Sequence, residues 1–274
     1  MGKLALHNVT LCAASDIALE ATLRALERCL DQTDFASALL LSSQPLKRQS
    51  RHEIKHVPIH CLDSAQSYSE FILTNLFNHV ETDFALVVQW DSSIVDASSW
   101  TDEFLDFDYI GAPWVNHPPG RDVGNGGFSL RSRKLLEIGT QPWFRRSHPE
   151  DLCIAQVNRQ GLETAGIRIA DRAIARRFAR EREPDDAAHF GVHGIFALAE
   201  QMDFPAFEEL LAAVEYGVIG KRELMDVIQV CHQRHKGYSS AANRCRIEFL
   251  RRFPFDRRAP SFAAELVKSR FRTD

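Results

Sequence analysis

The sequence contains no hydrophobic run approaching the roughly 18–20 residues that cross a bilayer. It has no C-x-x-C pair among its 6 cysteines and no charge excess of one sign, since 33 basic and 37 acidic residues leave a formal net charge of −4. Internal repeats and low-complexity tracts are absent too. Each absence removes a class of protein. Without a long apolar run, no membrane-spanning helix is expected. Without paired cysteines, a chain of 274 residues reads as carrying reduced, mostly buried thiols rather than a disulfide framework. A compact chain of this length buries roughly three quarters of its unfolded surface, so it needs no staples. The mild acidity speaks against a protein devoted to nucleic acid. The first fifteen residues hold one lysine, and His7 and Asn8 interrupt their apolar stretch, which is unlike a secretory signal. Leu6 stands where a myristoylation signal has Ser or Thr. The expectation is a cytoplasmic protein, at most peripheral to a membrane.

What is present is ordinary globular material, with 45% apolar and 26% charged residues. Residues 4–11 form a short apolar stretch that suits a buried strand. Ser15 or Asp16 can cap a helix carrying Ile17, Leu19, Leu23, Leu26 and Leu30. Residues 38–41 predict a second strand and residues 42–55 a polar loop. Ser67 and Glu70 make a capping box for a helix with Phe71, Ile72 and Leu76. Residues 84–90 predict a strongly apolar strand ending at Asp91. Strands alternating with helices imply a mainly parallel sheet covered by helices.

The middle of the chain predicts short strands at residues 109–114 and 128–131, a helix near 133–138, a helix opening at 148–151, and a strand at 167–170. Residues 171–183 are charged and either helical or irregular. From about 197 onward the text is helical. Pro205 suits a first turn, residues 221–236 a helix ended by Gly237, and residues 238–253 another. We expect an α/β domain at 1–196 and a helical appendage at 197–274.

Four places carry residue types suited to chemistry. Asp91 follows a buried strand, where open α/β sheets place their ligands and a carboxylate can hold a divalent cation; it could equally cap the next turn. Gly124-Asn125-Gly126-Gly127 can bring backbone close to a ligand, or can be a hairpin turn. Glu150 and Asp151 open a helix whose N-terminus would lower a carboxyl pKa. Ser147 and Glu150 match a capping box, which would leave Asp151 as the better general base. His193, between two glycines on an expected loop, can ligate a metal. Two clusters are set aside: Cys231, His232 and His235 lack a second zinc pair. Arg172, Arg176, Arg177, Arg180 and Arg182 interleave with Asp171, Glu181 and Glu183 as a solvated face.

The order of these pieces is more specific than any one of them. Q-W-D-S after an apolar strand, then D-Y-I-G-A-P-W, G-N-G-G-F-S-L-R, P-E-D and G-V-H, resembles an uncharacterised, mostly microbial family grouped with glycosyltransferases of the GT-A nucleotide-sugar-binding fold. The resemblance covers about residues 5–196. It implies a GT-A-like mixed, mainly parallel sheet flanked by helices, with the helical appendage outside it. It implies that Asp91 ligates Mn²⁺ or Mg²⁺ on the donor diphosphate and that His193 completes the metal site. Asn125, Gly126 and Gly127 would lie beside the donor sugar, Glu150 and Asp151 at the acceptor, and Ala13 and Ser15 near the nucleoside. Trp114 could stack on a sugar face or belong to the core. One departure stands out: Gln89 replaces the first acid of the family's D-x-D motif. It can offer a neutral oxygen but no charge, so metal binding ahead of the donor should be weak.

The function expected is transfer of a sugar from a nucleotide-diphosphate sugar, a UDP-sugar first, to an acceptor hydroxyl on a glycan or lipid-linked molecule. Two alternatives are a non-catalytic nucleotide-sugar or glycan binder and a sugar nucleotidyltransferase. The latter usually carries a Gly- and Lys/Arg-rich phosphate loop after the first strand, and residues 10–16 have no Arg, Lys or Gly. Residues 244–274 hold nine basic and four acidic residues, a surplus of 9 − 4 = +5. There Phe262, Ala263, Leu266, Val267 and Phe271 form a stripe at helical spacing. That helix is expected to dock on its own domain or in a homo-oligomer, with an anionic bilayer as the alternative.

Overall fold

The computed structural model describes residues 2–183, 187–215, 217–234 and 239–271, without the side chains of Arg270 and Phe271. The chain divides into two compact units, Met1–His193 and Gly194–Asp274. Among the described residues no helix is long and apolar enough to cross a membrane.

The first unit is built on strand β1 (Leu4–Ala14), helix α1 (Leu19–Gln32), β2 (Thr33–Ser42), β3 (Lys55–Pro58), α2 (Ala65–Thr74) and β4 (Phe84–Val88). Then come β5 (Ser92–Ile94), β6 (Tyr109–Gly111), β7 (Phe128–Ser132) and α3 (Arg133–Gly139). A six-stranded sheet has the order β3-β2-β1-β4-β7-β6. The first four strands run parallel and β7 runs antiparallel to both its neighbours. This is the mixed, mainly parallel sheet flanked by helices that the sequence predicts. β1 and β4 are central and nearly continuous in apolar residues because both faces are covered. Leu11, Leu40, Leu86 and Leu130 face one core, while Cys12, Leu41, Val87 and Leu76 face another.

Several element boundaries differ from expectation for identifiable reasons. Helix α1 begins at Leu19, behind Ala18 in a left-handed conformation and without a side-chain cap. Asp16 cannot cap it, because its carboxylate accepts from the Ser42 and Ser43 hydroxyls and the Ser43 and Leu62 amides. Ile17 therefore precedes the helix and is exposed. The capping box of α2 is Ser64 with Ser67 rather than Ser67 with Glu70. The polar stretch after β2 contains the edge strand β3. Residues 167–170 contribute a single bridge, Tyr109 to Ile169, instead of a strand.

The C-terminal part of the first unit holds α4 (Glu150–Leu152), which runs on through a π-helical turn, Cys153–Val157. α5 (Arg159–Thr164), α6 (Arg172–Phe178), β8 (Ala179–Arg180) and β9 (Gly191–His193) complete it. β9 replaces the expected loop and joins β5 and β8 in a small second sheet. Five cysteines are buried and Cys61 is exposed, all as free thiols.

The second unit comprises α7 (Ile195–Gln201), α8 (Phe204–Ala213), α9 (Lys221–Gln233), α10 (Ser239–Arg252) and α11 (Ala259–Phe271). Asp203 caps α8, with Pro205 in its first turn. Phe262 of α11 meets Phe249 of α10 edge-on at 4.9 Å, and the Asn243 amide donates to Ser269 at 3.0 Å. Phe262 and Leu266 are half-buried, whereas Ala263 and Val267 are exposed. The expected helix end at Lys236 and Gly237, and His235, Tyr238 and Arg272, lie outside the described residues.

Candidate functional site

Strand register assembles the site. β4 and β7 pair antiparallel with Val88 opposite Phe128, and the Gln89 amide donates to the Gly127 carbonyl at 2.9 Å. Gly126 and Gly127 therefore sit across from the segment that follows β4. β5 and β9 pair with Ser92 opposite His193, which carries the histidine to the residue beside Asp91. His193 Nε2 lies 3.5 Å from Asp91 Oδ1, and His193 Nδ1 lies 3.9 Å from Glu181 Oε1. Asp91 is buried, and its Oδ1 has no hydrogen-bond partner.

The loop must be glycine where it passes these groups. A Cβ on Gly127 would lie 2.1 Å from His193 Nε2, and one on Gly126 would lie 2.2 Å from Glu150 Oε1. Asn125 organises the turn. Its side-chain Oδ1 accepts from the Gly127 amide at 2.9 Å, and its Nδ2 donates to Glu181 Oε2 at 3.2 Å.

The acidic pair is held from two sides. Glu150 is buried and receives a hydrogen bond from Arg131 Nη2 at 3.0 Å. Arg131, fully buried on β7, also donates to Ser129 at 3.0 Å and lies over the Tyr109 ring. Glu150 thus serves an ion pair, not the capping box with Ser147 that the spacing suggests, and Pro149 is the N-cap. Asp151 Oδ2 accepts from the Gly126 amide at 3.2 Å and Oδ1 from the Leu152 amide at 2.7 Å. Burial, and after it the neighbouring Glu150 charge, pushes Asp151 up from 3.8 to about 6. A helix N-terminus was expected to lower it, but α4 has only one short turn, so desolvation wins.

Asp91, His193, Asn125, Gly126, Gly127, Glu150 and Asp151 are thus joined through one loop. Gln89 turns elsewhere, its amide donating to the Tyr68 hydroxyl at 3.1 Å. Trp114 packs with the cluster of Tyr109, Phe144 and Ile154, its ring 4.9 Å from that of His117. The Ala13 methyl is buried in the core. Ser15 spends its amide on the Leu41 carbonyl and its hydroxyl on the Ile17 carbonyl.

Three residues at the site escaped the sequence reading. Arg131 lies inside G-N-G-G-F-S-L-R, where nothing in the spacing marks it as an inward position on a strand. Glu181, assigned to a solvated face, is half-buried between Asn125 and His193. Arg28 of α1 is half-buried and donates to the Trp90 and Ser92 carbonyls at 3.3 and 3.2 Å, bracketing Asp91. No local signal links it to residues more than sixty positions away.

The residues present fit a divalent ion in part. An unpartnered buried carboxylate oxygen and an imidazole nitrogen converge. Among the described residues, however, no three His, Cys, Asp or Glu side chains form a metal cage. Two protein ligands suit a hard cation that takes its remaining ligands from substrate phosphates and water.

A family model described as "Protein of unknown function (DUF5672)" matches residues 51–193. The chain belongs to that family. The match spans β3 through β9 and so contains Gln89, Asp91, the glycine loop, the acidic pair and His193, whereas β1, α1 and β2 lie before it. None of the curated proteins matches. Among solved structures the chain is similar to a glycosyltransferase involved in the glycosylation of the major capsid of PBCV-1, with 12% identity and a TM-score of 0.41 over 74% of this chain and 98% of that one. No residue here takes its role from that protein.

Proposed function

We propose that this family member transfers a sugar from a nucleotide-diphosphate sugar, a UDP-sugar first, to an acceptor hydroxyl at the carboxyl end of β4. The observation that carries the proposal is the convergence of Asp91 and His193 beside a glycine loop whose other flank is the Glu150–Asp151 pair. Four carboxylates (Asp91, Glu150, Asp151 and Glu181) surround that loop, so an anionic diphosphate would meet repulsion there unless a cation came with it. Asp91 and His193 would hold Mn²⁺ or Mg²⁺, which supplies neutralisation of charge on the departing nucleotide diphosphate. Gly126 and Gly127 give the donor sugar a backbone surface without Cβ atoms.

Asp151 acts as the base. Held near 6, its carboxylate is ionised at neutral pH yet basic enough to accept a proton in the transition state. The acceptor oxygen bonds to the anomeric carbon, and its proton passes to Asp151. The bond from that carbon to the diphosphate oxygen breaks, with the electron pair leaving on the nucleotide diphosphate. Glu150 stays paired to Arg131, so its charge is fixed beside the base.

Incubation with a panel of nucleotide sugars, with and without Mn²⁺, tests the reading. Mn²⁺-dependent release of nucleotide diphosphate that Asp151→Asn abolishes is the expected result. Pyrophosphate exchange would instead indicate a nucleotidyltransferase, and saturable donor binding without turnover a binding protein. Either outcome refutes the transferase.

A further inference from the structure

The first unit carries an open groove of about 660 Å³ whose lining includes Trp143, Arg145, Asn158, Gln160 and Gly161. We propose that this groove is a carbohydrate-binding subsite in which the Trp143 ring stacks on a pyranose and Arg145 and Gln160 hydrogen-bond its hydroxyls.

The groove is rigidly built. Asn158 is buried, and its side chain clasps the strap 143–146 onto the helical segment. Its oxygen accepts from the Arg145 amide at 2.9 Å, and its nitrogen donates to the Arg145 and Cys153 carbonyls at 2.8 and 2.9 Å. Gly161 on α5 seats the indole, since a Cβ there would lie 2.8 Å from Trp143 Cζ3. The clasp and the seat fix an aromatic ring that remains 47% exposed. A ring seated against Gly161 before any ligand arrives lowers the ordering cost of binding.

The chemistry around the ring selects the ligand. One face of a pyranose presents polarised C–H bonds, which match the negative face of an indole. Its hydroxyls need donors and acceptors at the rim. The Arg145 guanidinium and the Gln160 amide are uncommitted within the described structure. An apolar anchor from a protein would need an enclosed apolar pocket, and this groove is open and polar along its edge.

The groove lies on the continuation of the helical segment that begins with the proposed base. Asn158 lies seven positions after Asp151, roughly 10 Å at an α-helical rise, at the end of the π-helical turn. A glycan bound there is then a candidate acceptor. That the glycan is the acceptor rests on the transferase proposal, whereas binding in the groove does not.

Calorimetric titration of the full chain with chitohexaose, maltohexaose and mannohexaose, without nucleotide sugar or metal, tests it. At least one of the three should bind saturably. Trp143→Ala should weaken that binding at least about tenfold, a loss of roughly 1.4 kcal/mol. Trp143→Phe should recover part of the loss. Gly161→Ala is the structural control. It displaces the ring without removing it, so it should weaken binding, and a thermal melt of the same variant separates a displaced ring from an unfolded protein. Binding of none of the three glycans, or binding unchanged by Trp143→Ala and Gly161→Ala, overturns the subsite. Failure of nucleotide-sugar turnover alongside Trp143-dependent binding removes the transferase reading and leaves the subsite standing.

Discussion

Asp151→Asn should stabilise the first unit at neutral pH while removing its activity. The native carboxyl titrates near 6 against an ordinary 3.8. Between those values the folded chain holds a proton that the unfolded chain has released, so stability falls as pH rises through the window. The difference of about 2 units corresponds to about 3 kcal/mol at most, absent below pH 4 and fully expressed above pH 7. Asparagine does not titrate, but it has one acceptor oxygen where the carboxylate serves both the Gly126 and Leu152 amides. At pH 4 the native carboxyl is protonated and has given up the same acceptor, so the two proteins should be about equally stable there, and the variant should be more stable by up to about 3 kcal/mol at pH 7.5. All four tryptophans (Trp90, Trp100, Trp114 and Trp143) lie in the first unit. Urea unfolding followed by their fluorescence reads that unit alone. A difference between the two proteins that does not change across pH 4–7.5 would show that Asp151 is not held near 6, and the argument for it as base would fall with it.

Three other changes test the site. Arg131→Met leaves Glu150 buried without its partner and should cost about 3–5 kcal/mol in the same unfolding assay. Adding Glu150→Leu should recover most of that loss. Gly127→Ala drives a methyl against His193 Nε2 and should cost about 1–3 kcal/mol while displacing the imidazole from Asp91, read as lost Mn²⁺ binding in electron paramagnetic resonance. Asp91→Asn removes the carboxylate that faces His193 Nε2 at 3.5 Å and supports the Arg28 charge, so its thermal midpoint should fall modestly with the first unit still folded. Donor binding in Mn²⁺ should be lost in that variant, and retained donor affinity would remove Asp91 from the site.

The sheet was legible because β1, β4 and β7 are runs of buried apolar residues bounded by turn residues, a signal that sequence periodicity reports directly. β3 was not, since a four-residue edge strand with Lys55 and His56 has no buried face to pattern. Asp91, His193 and the glycine loop could be found because their types are unusual where they stand. Glu181 and Arg131 could not. Glu181 sits in a charged run, where nothing in composition distinguishes it, or the buried Glu183 that pairs with Arg176, from a solvated carboxylate. Arg131 occupies an alternating position on a strand, and only the pairing of β7 with β4 places it under Glu150. The same limit explains Asp151. Its adjacency to Glu150 was visible, but the sign of its pKa displacement depends on burial, which the helix-start argument did not contain.

Gln89 decides whether the single-acid arrangement is a weakened metal site or a different one. If Gln89 stood in for a lost ligand, its side chain would point with Asp91 toward His193, and Gln89→Asp would restore a second carboxylate to the cation. Its amide instead donates to the Tyr68 hydroxyl, and its backbone amide is shared between the Gly127 carbonyl and the Ser92 hydroxyl. Tyr68 in turn feels the Glu150 charge: burial first, and that charge after it, raise its pKa. The Gln89 side chain thus turns to Tyr68, whose hydroxyl feels the Glu150 charge, and an aspartate there should add negative charge on that side rather than beside the metal. Gln89→Asp should leave Mn²⁺ affinity within about threefold of wild type, a change under roughly 0.7 kcal/mol. It should also push Asp151 further up, moving the acid limb of the donor-turnover profile to higher pH. A tenfold gain in Mn²⁺ affinity would show that the side chain reaches the cation after all, and would make Gln89 an eroded ligand instead of part of the acceptor side.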